Sequence, residues 1–218
     1  MAELKQVQAR PAGWRIGITQ RRIAATSTSF ARDALDADWS TWFAARGLAG
    51  AFVSIPNFAD ASHAARYAES WGLNLLLLSG GEDLGLSPER DATEDGLLAY
   101  ARRTHMPVIG VCRGMQLLHA RSGGLLLEDA GHVGYQHSVA LATEVVHVNS
   151  WHRWVIKELA PGWQALATAH DGSIEAMQHE RLPWLATMWH PERTDGQADM
   201  VWQWIDNLQG LRPGLKVA

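Results

Sequence analysis

The chain of 218 residues contains one cysteine, Cys112. An intrachain disulfide is therefore excluded, and the usage fits a reducing compartment. No apolar stretch approaches the ~20 residues needed to span a bilayer. Residues 1–13 are polar and lack an apolar core, so they read as a loose leader and not as a secretory signal. The expected location is cytoplasmic. Neither sign of charge dominates: the net charge of −4 gives no electrostatic case for nucleic acid or an anionic membrane as partner. The ten histidines show no H-E-x-x-H spacing and come with no cysteine pairs, so no metal site is expected. The G-x-x-x-x-G-K-[ST] pattern is missing too, and with it the case for nucleotide hydrolysis. There is no internal repeat, linker or low-complexity stretch.

What is present suffices for one sizeable core. Hydrophobic residues make up 47% of the chain, and 218 residues are normal for a single α/β domain. Strand-like runs at 14–19, 50–55, 73–79 and 107–112 alternate with helical stretches at 29–46, 60–71 and 90–104. Gly47 and Gly72 are placed as helix C-caps and Asp60 as an N-cap. This alternation predicts a parallel sheet with helices on both faces. After a helix ending near Gly123-Gly124 the pattern changes. Strands are expected at 138–142, 144–149, 174–178 and 184–189, with turns at Pro161-Gly162 and Asp171-Gly172. A last helix is expected at 196–208. The reading is one catalytic domain over 14–208, with a leader at 1–13 and a tail at 209–218. Eleven tryptophans are many; core or groove lining is expected for most.

Residues 108–114 read Val-Ile-Gly-Val-Cys-Arg-Gly, and 115–120 have helical character. Cys112 thus sits at the apex of a strand–turn–helix, with Gly110 and Gly114 two residues away on either side. This is the nucleophile elbow of α/β hydrolytic enzymes with sulfur in place of the serine oxygen. The glycines fit a strained turn in which Cβ atoms would clash. The helix N-terminus favours thiolate.

A cysteine nucleophile needs a base, and the base needs an orienting acceptor. His190 and Glu192, in Met-Trp-His-Pro-Glu at 188–192, follow an apolar run and supply both roles. The apolar strand 75–78 runs into Ser79-Gly80-Gly81-Glu82-Asp83. A Gly-Gly turn at a strand end exposes N–H groups that stabilise an oxyanion. The expected donors are Gly81 and Arg113, the residue after the nucleophile.

Together these segments resemble the class I (triad) glutamine amidotransferase superfamily, and within it the γ-glutamyl hydrolase branch that includes γ-glutamyl-γ-aminobutyrate hydrolase. The matching pieces are Ser79-Gly80-Gly81-Glu82-Asp83, the run from Pro107 to Gln116, Val148-Asn149-Ser150-Trp151-His152 and Trp189-His190-Pro191-Glu192. They fall in the family's order and spacing, over roughly residues 14 to 208. The resemblance implies a flavodoxin-like three-layer α/β sandwich with a mostly parallel central sheet and an antiparallel extension. It implies a thioester intermediate on Cys112, no cofactor and no metal. It also implies that Gly80, Gln116, His137, Ser138, Ser150 and His152 line the substrate pocket. A structural histidine or serine in a strand is the plain alternative for the last four.

Ile18-Thr19-Gln20-Arg21 and Arg32-Asp33-Ala34-Leu35-Asp36, followed by Trp39, are similar to a bacterial subgroup found with surface-polysaccharide genes. That subgroup includes γ-glutamyl-CDP-amidate hydrolase. By this likeness Arg21 and Arg32 contact the substrate; a solvated helix start is the alternative. Three functions compete. The chain is a stand-alone hydrolase of a small γ-glutamyl conjugate, a glutaminase subunit passing ammonia to a separate synthetase, or a non-catalytic binding member of the fold. The intact Cys112, His190 and Glu192 argue against the third, and Arg113 leans toward the first. A small-molecule γ-glutamyl substrate is the expected partner. A homodimer and a synthetase partner are left open.

Overall fold

The computed structural model describes residues 13–193 and 200–210. In chain order the elements are β1 (Ile16–Thr19), β2 (Arg21–Ile23), β3 (Arg32–Ala34), α1 (Asp38–Ala44), β4 (Phe52–Ile55), α2 (Ala61–Ser70), β5 (Leu75–Leu78), α3 (Pro88–Thr104) and β6 (Val108–Val111). There follow α4 (Arg113–Arg121), β7 (Leu127–Glu128), β8 (Val133–Ala140), β9 (Val145–Trp151), β10 (Trp154–Val155), β11 (Trp163–Ala169), β12 (Ile174–His179), β13 (Trp184–Thr187) and α5 (Met200–Gly210).

Nine strands form one sheet in the order β4-β1-β5-β6-β13-β12-β11-β8-β9. The strands from β4 to β13 pair in parallel. Those from β13 to β9 pair antiparallel. Fully buried strands of a parallel sheet read as continuous apolar runs, and β5 is four leucines in a row. Their alternation divides the core. Leu76 and Leu78 pack with α2, α3 and α4, while Leu75 and Leu77 pack with α1 and α5. The result is the three-layer sandwich with an antiparallel extension. Among the described residues no helix is long and apolar enough to cross a membrane.

Two stretches depart from the sequence expectation. The expected helix at 29–46 is helical only over Asp38–Ala44; Arg32–Ala34 instead pairs antiparallel with Arg21–Ile23. The Asp33 carboxylate accepts bonds from Arg22 and from the Asn57 backbone and amide. These distant partners override local helix propensity. The strand at Trp163–Ala169 was not expected at all. It is rich in alanine, a weak strand former, and owes its state to β12 and β8 on either side. β8 also starts earlier than expected, at Val133. The leader up to residue 12, residues 194–199 at the start of the expected last helix, and the tail beyond 210 lie outside the described residues.

Part of the tryptophan excess has a place. In α1, Trp39 meets Trp42 edge-on at 5.3 Å, and Trp42 stacks on Trp202 of α5 at 4.1 Å. Elsewhere Trp163 and Trp184 pack against one another on the opposite face.

Candidate active site

Three segments converge at the carboxyl ends of parallel strands, where the loops of open α/β sheets build sites. Ser79-Gly80-Gly81 follows β5, Cys112 follows β6, and His190 follows β13. Cys112 stands directly before α4 with φ 52° and ψ −104°. For a residue other than glycine this backbone is strained and costs about 1–3 kcal/mol. The surroundings impose it. The Cys112 N–H donates to the Thr187 carbonyl at 2.8 Å, and its own carbonyl accepts from Gln116 N–H at 3.1 Å. A Cβ at Gly110 would lie 2.8 Å from the Gly114 carbonyl carbon, and one at Gly114 would run into the Leu78 carbonyl. As the opening residue of α4, Arg113 has an N–H without an acceptor inside the helix.

His190 is buried, at 4% exposure. Its Nδ1 lies 2.6 Å from Glu192 Oε1. Burial pulls the ring's pKa down, but the Cys112 sulfur and the Glu192 carboxylate outweigh it and raise the value to about 10. The imidazolium therefore stands beside Cys112 at neutral pH. Asn149 of β9 fixes the His190 main chain: its Oδ1 accepts from the His190 N–H and its Nδ2 donates to the His190 carbonyl. Gly80 faces the ring so closely that a Cβ there would be 2.5 Å from His190 Cε1.

A buried charge network carries the glycine loop. The Arg90 guanidinium donates to the carbonyls of Ser79 and Gly80 and pairs with Glu82 and Glu94. Glu94 also pairs with Arg113, which reaches Asp91 as well. Burial pushes the Glu94 carboxyl up, but the two guanidinium groups hold it below the usual carboxylate range. Gly81, at φ 149°, leaves room for Arg90 where a Cβ would clash. The network thus joins the loop to the residue after Cys112. The Arg113 side chain is spent on it, so only its backbone is free to face a substrate.

One cleft beside His190 is lined by Arg21, Asp36, Trp39, Gly80, Gly81, His190, Glu192 and Arg193, and by neighbouring Ala34, Leu35 and Ser79. Arg32 does not line it; it is exposed on β3, opposite Ile23. A second cleft is lined by Asp83, Leu84, Gln116, Leu126 and Trp154, and Gln116 Nε2 lies 3.7 Å from Met188 Sδ. The other expected pocket residues lie in neither cleft. Ser138 bonds His147 across the β8–β9 hairpin, and the Ser150 hydroxyl donates to the His132 carbonyl. His137 and His152 stand around buried Glu175 of β12. Sequence reasoning missed Asn149, Arg90, Glu94, Arg193 and Glu175. Only the Arg90–Glu94 pair had a local signal, its i,i+4 spacing.

The profile of the glutamine amidotransferase class-I family matches residues 49–203. A γ-glutamyl-CDP-amidate hydrolase of Campylobacter jejuni is 30% identical over 90% of this chain and 95% of its own length. A chain of the glutamine-hydrolysing GMP synthase from Thermococcus kodakarensis is 28% identical over 57% of this chain and 70% of its own. Among solved structures, a GMP synthase component of Thermoplasma acidophilum superposes with a TM-score of 0.70 at 18% identity, covering 92% of this chain and 96% of that one. A glutamine amidotransferase of Thermotoga maritima gives 0.60 at 13% identity, covering 91% and 83%. At such identities these two share the fold.

Proposed function

The chain belongs to the class I glutamine amidotransferase family, and from that premise we propose that it is a hydrolase of the γ-glutamyl amide bond in a small conjugate, working through Cys112, His190 and Glu192. The observation that carries this is the buried His190 ring held 2.6 Å from Glu192, with Cys112 acting on the same ring. Cys112 Sγ attacks the γ-carbonyl carbon. The developing oxyanion takes bonds from the N–H groups of Gly81 and Arg113. As the C–N bond breaks, the imidazolium gives its proton to the departing amine. The Cys112 sulfur helps hold that proton on the ring; once the sulfur is in a thioester, the proton is released more readily. Water, deprotonated by His190, then attacks the thioester, the C–S bond breaks and glutamate leaves. Glu192 holds the ring in one orientation throughout.

Arg21, half exposed at the cleft and 4.0 Å from Glu82, supports an anionic leaving group, with Arg193 beside it paired to Asp36. Taken with the Campylobacter relative's name, it favours a nucleotide amidate of the kind used in surface-polysaccharide synthesis. A second reading, a glutaminase subunit feeding a synthetase, draws on the likeness to the Thermococcus GMP synthase chain.

The test compares glutamate release by the purified chain from a γ-glutamyl nucleotide amidate, a small γ-glutamyl anilide and glutamine. The conjugate should be the best substrate, because remote contacts add transition-state binding that glutamine lacks. Cys112→Ala should abolish turnover and leave the fold intact. Equal efficiency on glutamine, or activity only after a second protein is added, moves the function to the glutaminase reading. Activity retained in Cys112→Ala overturns the mechanism.

A further inference from the structure

Away from both clefts, the antiparallel half of the sheet gathers three histidines around one carboxylate. Glu175 is fully buried, and neither of its oxygens has a partner in hydrogen-bonding geometry. The nearest nitrogens are His132 Nδ1 at 3.5 Å, His137 Nε2 at 3.6 Å and His152 Nε2 at 3.6 Å, all from Oε1. A buried carboxyl group without a hydrogen-bond donor is costly.

The tautomers sharpen the point. His152 Nδ1 lies 3.0 Å from the Trp154 carbonyl, which can only accept. Nδ1 therefore carries the proton, and in the neutral ring Nε2 presents a lone pair to Glu175. His132 Nε2 lies 3.1 Å from the Asp171 carboxylate. Its proton is there, and Nδ1 presents a lone pair to Glu175. Lone pairs and a carboxylate that converge in a buried space call for a cation between them.

We propose that His132, His137 and Glu175, whose donor atoms all lie within 4.8 Å of one another, form a binding site for a divalent cation of borderline softness, zinc above all. Four facts fit. Imidazole and carboxylate are zinc donors. A tetrahedron with zinc–ligand bonds of ~2.0–2.2 Å has edges of ~3.3–3.6 Å, and His132 and His137 stand 3.5 and 3.6 Å from the Glu175 oxygen. His132 gives its other ring nitrogen to the Asp171 carboxylate, the arrangement that orients ligating histidines. Finally, a cleft lined by Asp129, His132, His137, His170 and Asp171 opens the cluster to solvent through acidic groups, an access route for a cation. The spacing in sequence gave no hint, because the ligands come from the start of the β8–β9 hairpin and from β12.

The site would tie β8 to β12. β12 also supports the candidate active site, since the Glu175 carbonyl accepts the Met188 N–H at 2.7 Å, two residues before His190. The metal's role is structural and independent of the reading of Cys112.

The test uses the full chain without a histidine tag, stripped with a chelator and titrated with Zn²⁺ and Co²⁺. About one equivalent should bind, Co²⁺ with the intense visible bands of tetrahedral coordination, and Zn²⁺ should raise the melting temperature. The Cys112→Ser chain should bind equally, which separates this site from the thiol. His137→Gln and Glu175→Gln should lose the equivalent. Asp171→Asn, which keeps the side chain's shape but weakens its hold on His132 Nε2, should weaken binding by ~10–100-fold. Absence of stoichiometric uptake by the unsubstituted chain at micromolar metal overturns the proposal whatever the variants do. So does uptake that survives His137→Gln or vanishes with Cys112→Ser.

Discussion

Asn149 grips the main chain of His190 from both sides, accepting from its N–H at 2.9 Å and donating to its carbonyl at 2.8 Å. A strand at the far end of the sheet thereby sets the position of a residue at the end of β13. A side-chain amide offers a donor and an acceptor on separate atoms side by side, as this clasp requires. Asn149→Asp keeps the shape but loses the donor and leaves the buried His190 carbonyl facing a carboxylate. The cost should be about 1–3 kcal/mol of stability, read in urea unfolding, with kcat reduced ~10–100-fold and KM nearly unchanged. A variant with full kcat would mean that the clasp does not position the ring.

The His190–Glu192 pair makes a second prediction, for pH. The folded-state pKa of His190, about 10, lies above the ~6.5 of an unfolded histidine. The stabilisation it contributes is complete below the unfolded value and is lost as pH rises through the folded one. The melting temperature should therefore fall over the alkaline part of that window, ~8.5–10, and fall less in Cys112→Ala, which lacks one of the groups raising the pKa. Parallel curves would show that Cys112 does not hold the ring's proton. In turnover, Glu192→Gln should cost ~10²-fold, less than His190→Ala, because the amide still orients the ring but no longer balances its charge.

Glu94 joins Arg90 to Arg113 beneath the glycine loop. Glu94→Gln leaves two buried guanidinium groups short of a counter-charge. Removing one partner of such a network costs about 3–5 kcal/mol. Calorimetry should show a lower melting temperature, and activity should drop at temperatures where the chain is still folded, because Arg90 holds the Ser79 and Gly80 carbonyls. Unchanged stability would indicate that water already serves these charges.

Arg21 and Arg193 predict substrate selectivity. Alanine at either should raise KM for an anionic γ-glutamyl conjugate ~10-fold or more while sparing glutamine and small anilides, as the loss of uniform binding requires. An equal effect on all substrates would place these arginines in support of the fold. Arg32, outside the cleft, should be silent in the same assay.

Much of this was legible in the chain itself. The parallel half of the sheet announces itself through apolar runs such as Leu75–Leu78 and through glycine caps, since burial on both faces leaves a strong local signature. Cys112, His190 and Glu192 could be placed near one another because each lies at the end of such a run. The antiparallel half is written more faintly. Trp163–Ala169 has little strand propensity of its own, and Arg32–Ala34 follows tertiary partners. Asn149, Arg193 and Glu175 act through contacts 41, 157 and 23–43 residues away in the chain. A single sequence carries no local mark of such pairings.

The backbone at Cys112, with φ 52°, has a consequence for which residue can stand there. Glycine would relieve the strain at that position, but it would also remove a buried side chain and its contact with His190. The elbow therefore carries a local cost of about 1–3 kcal/mol at the very residue on which the proposed chemistry turns, offset by what the sulfur does inside the fold.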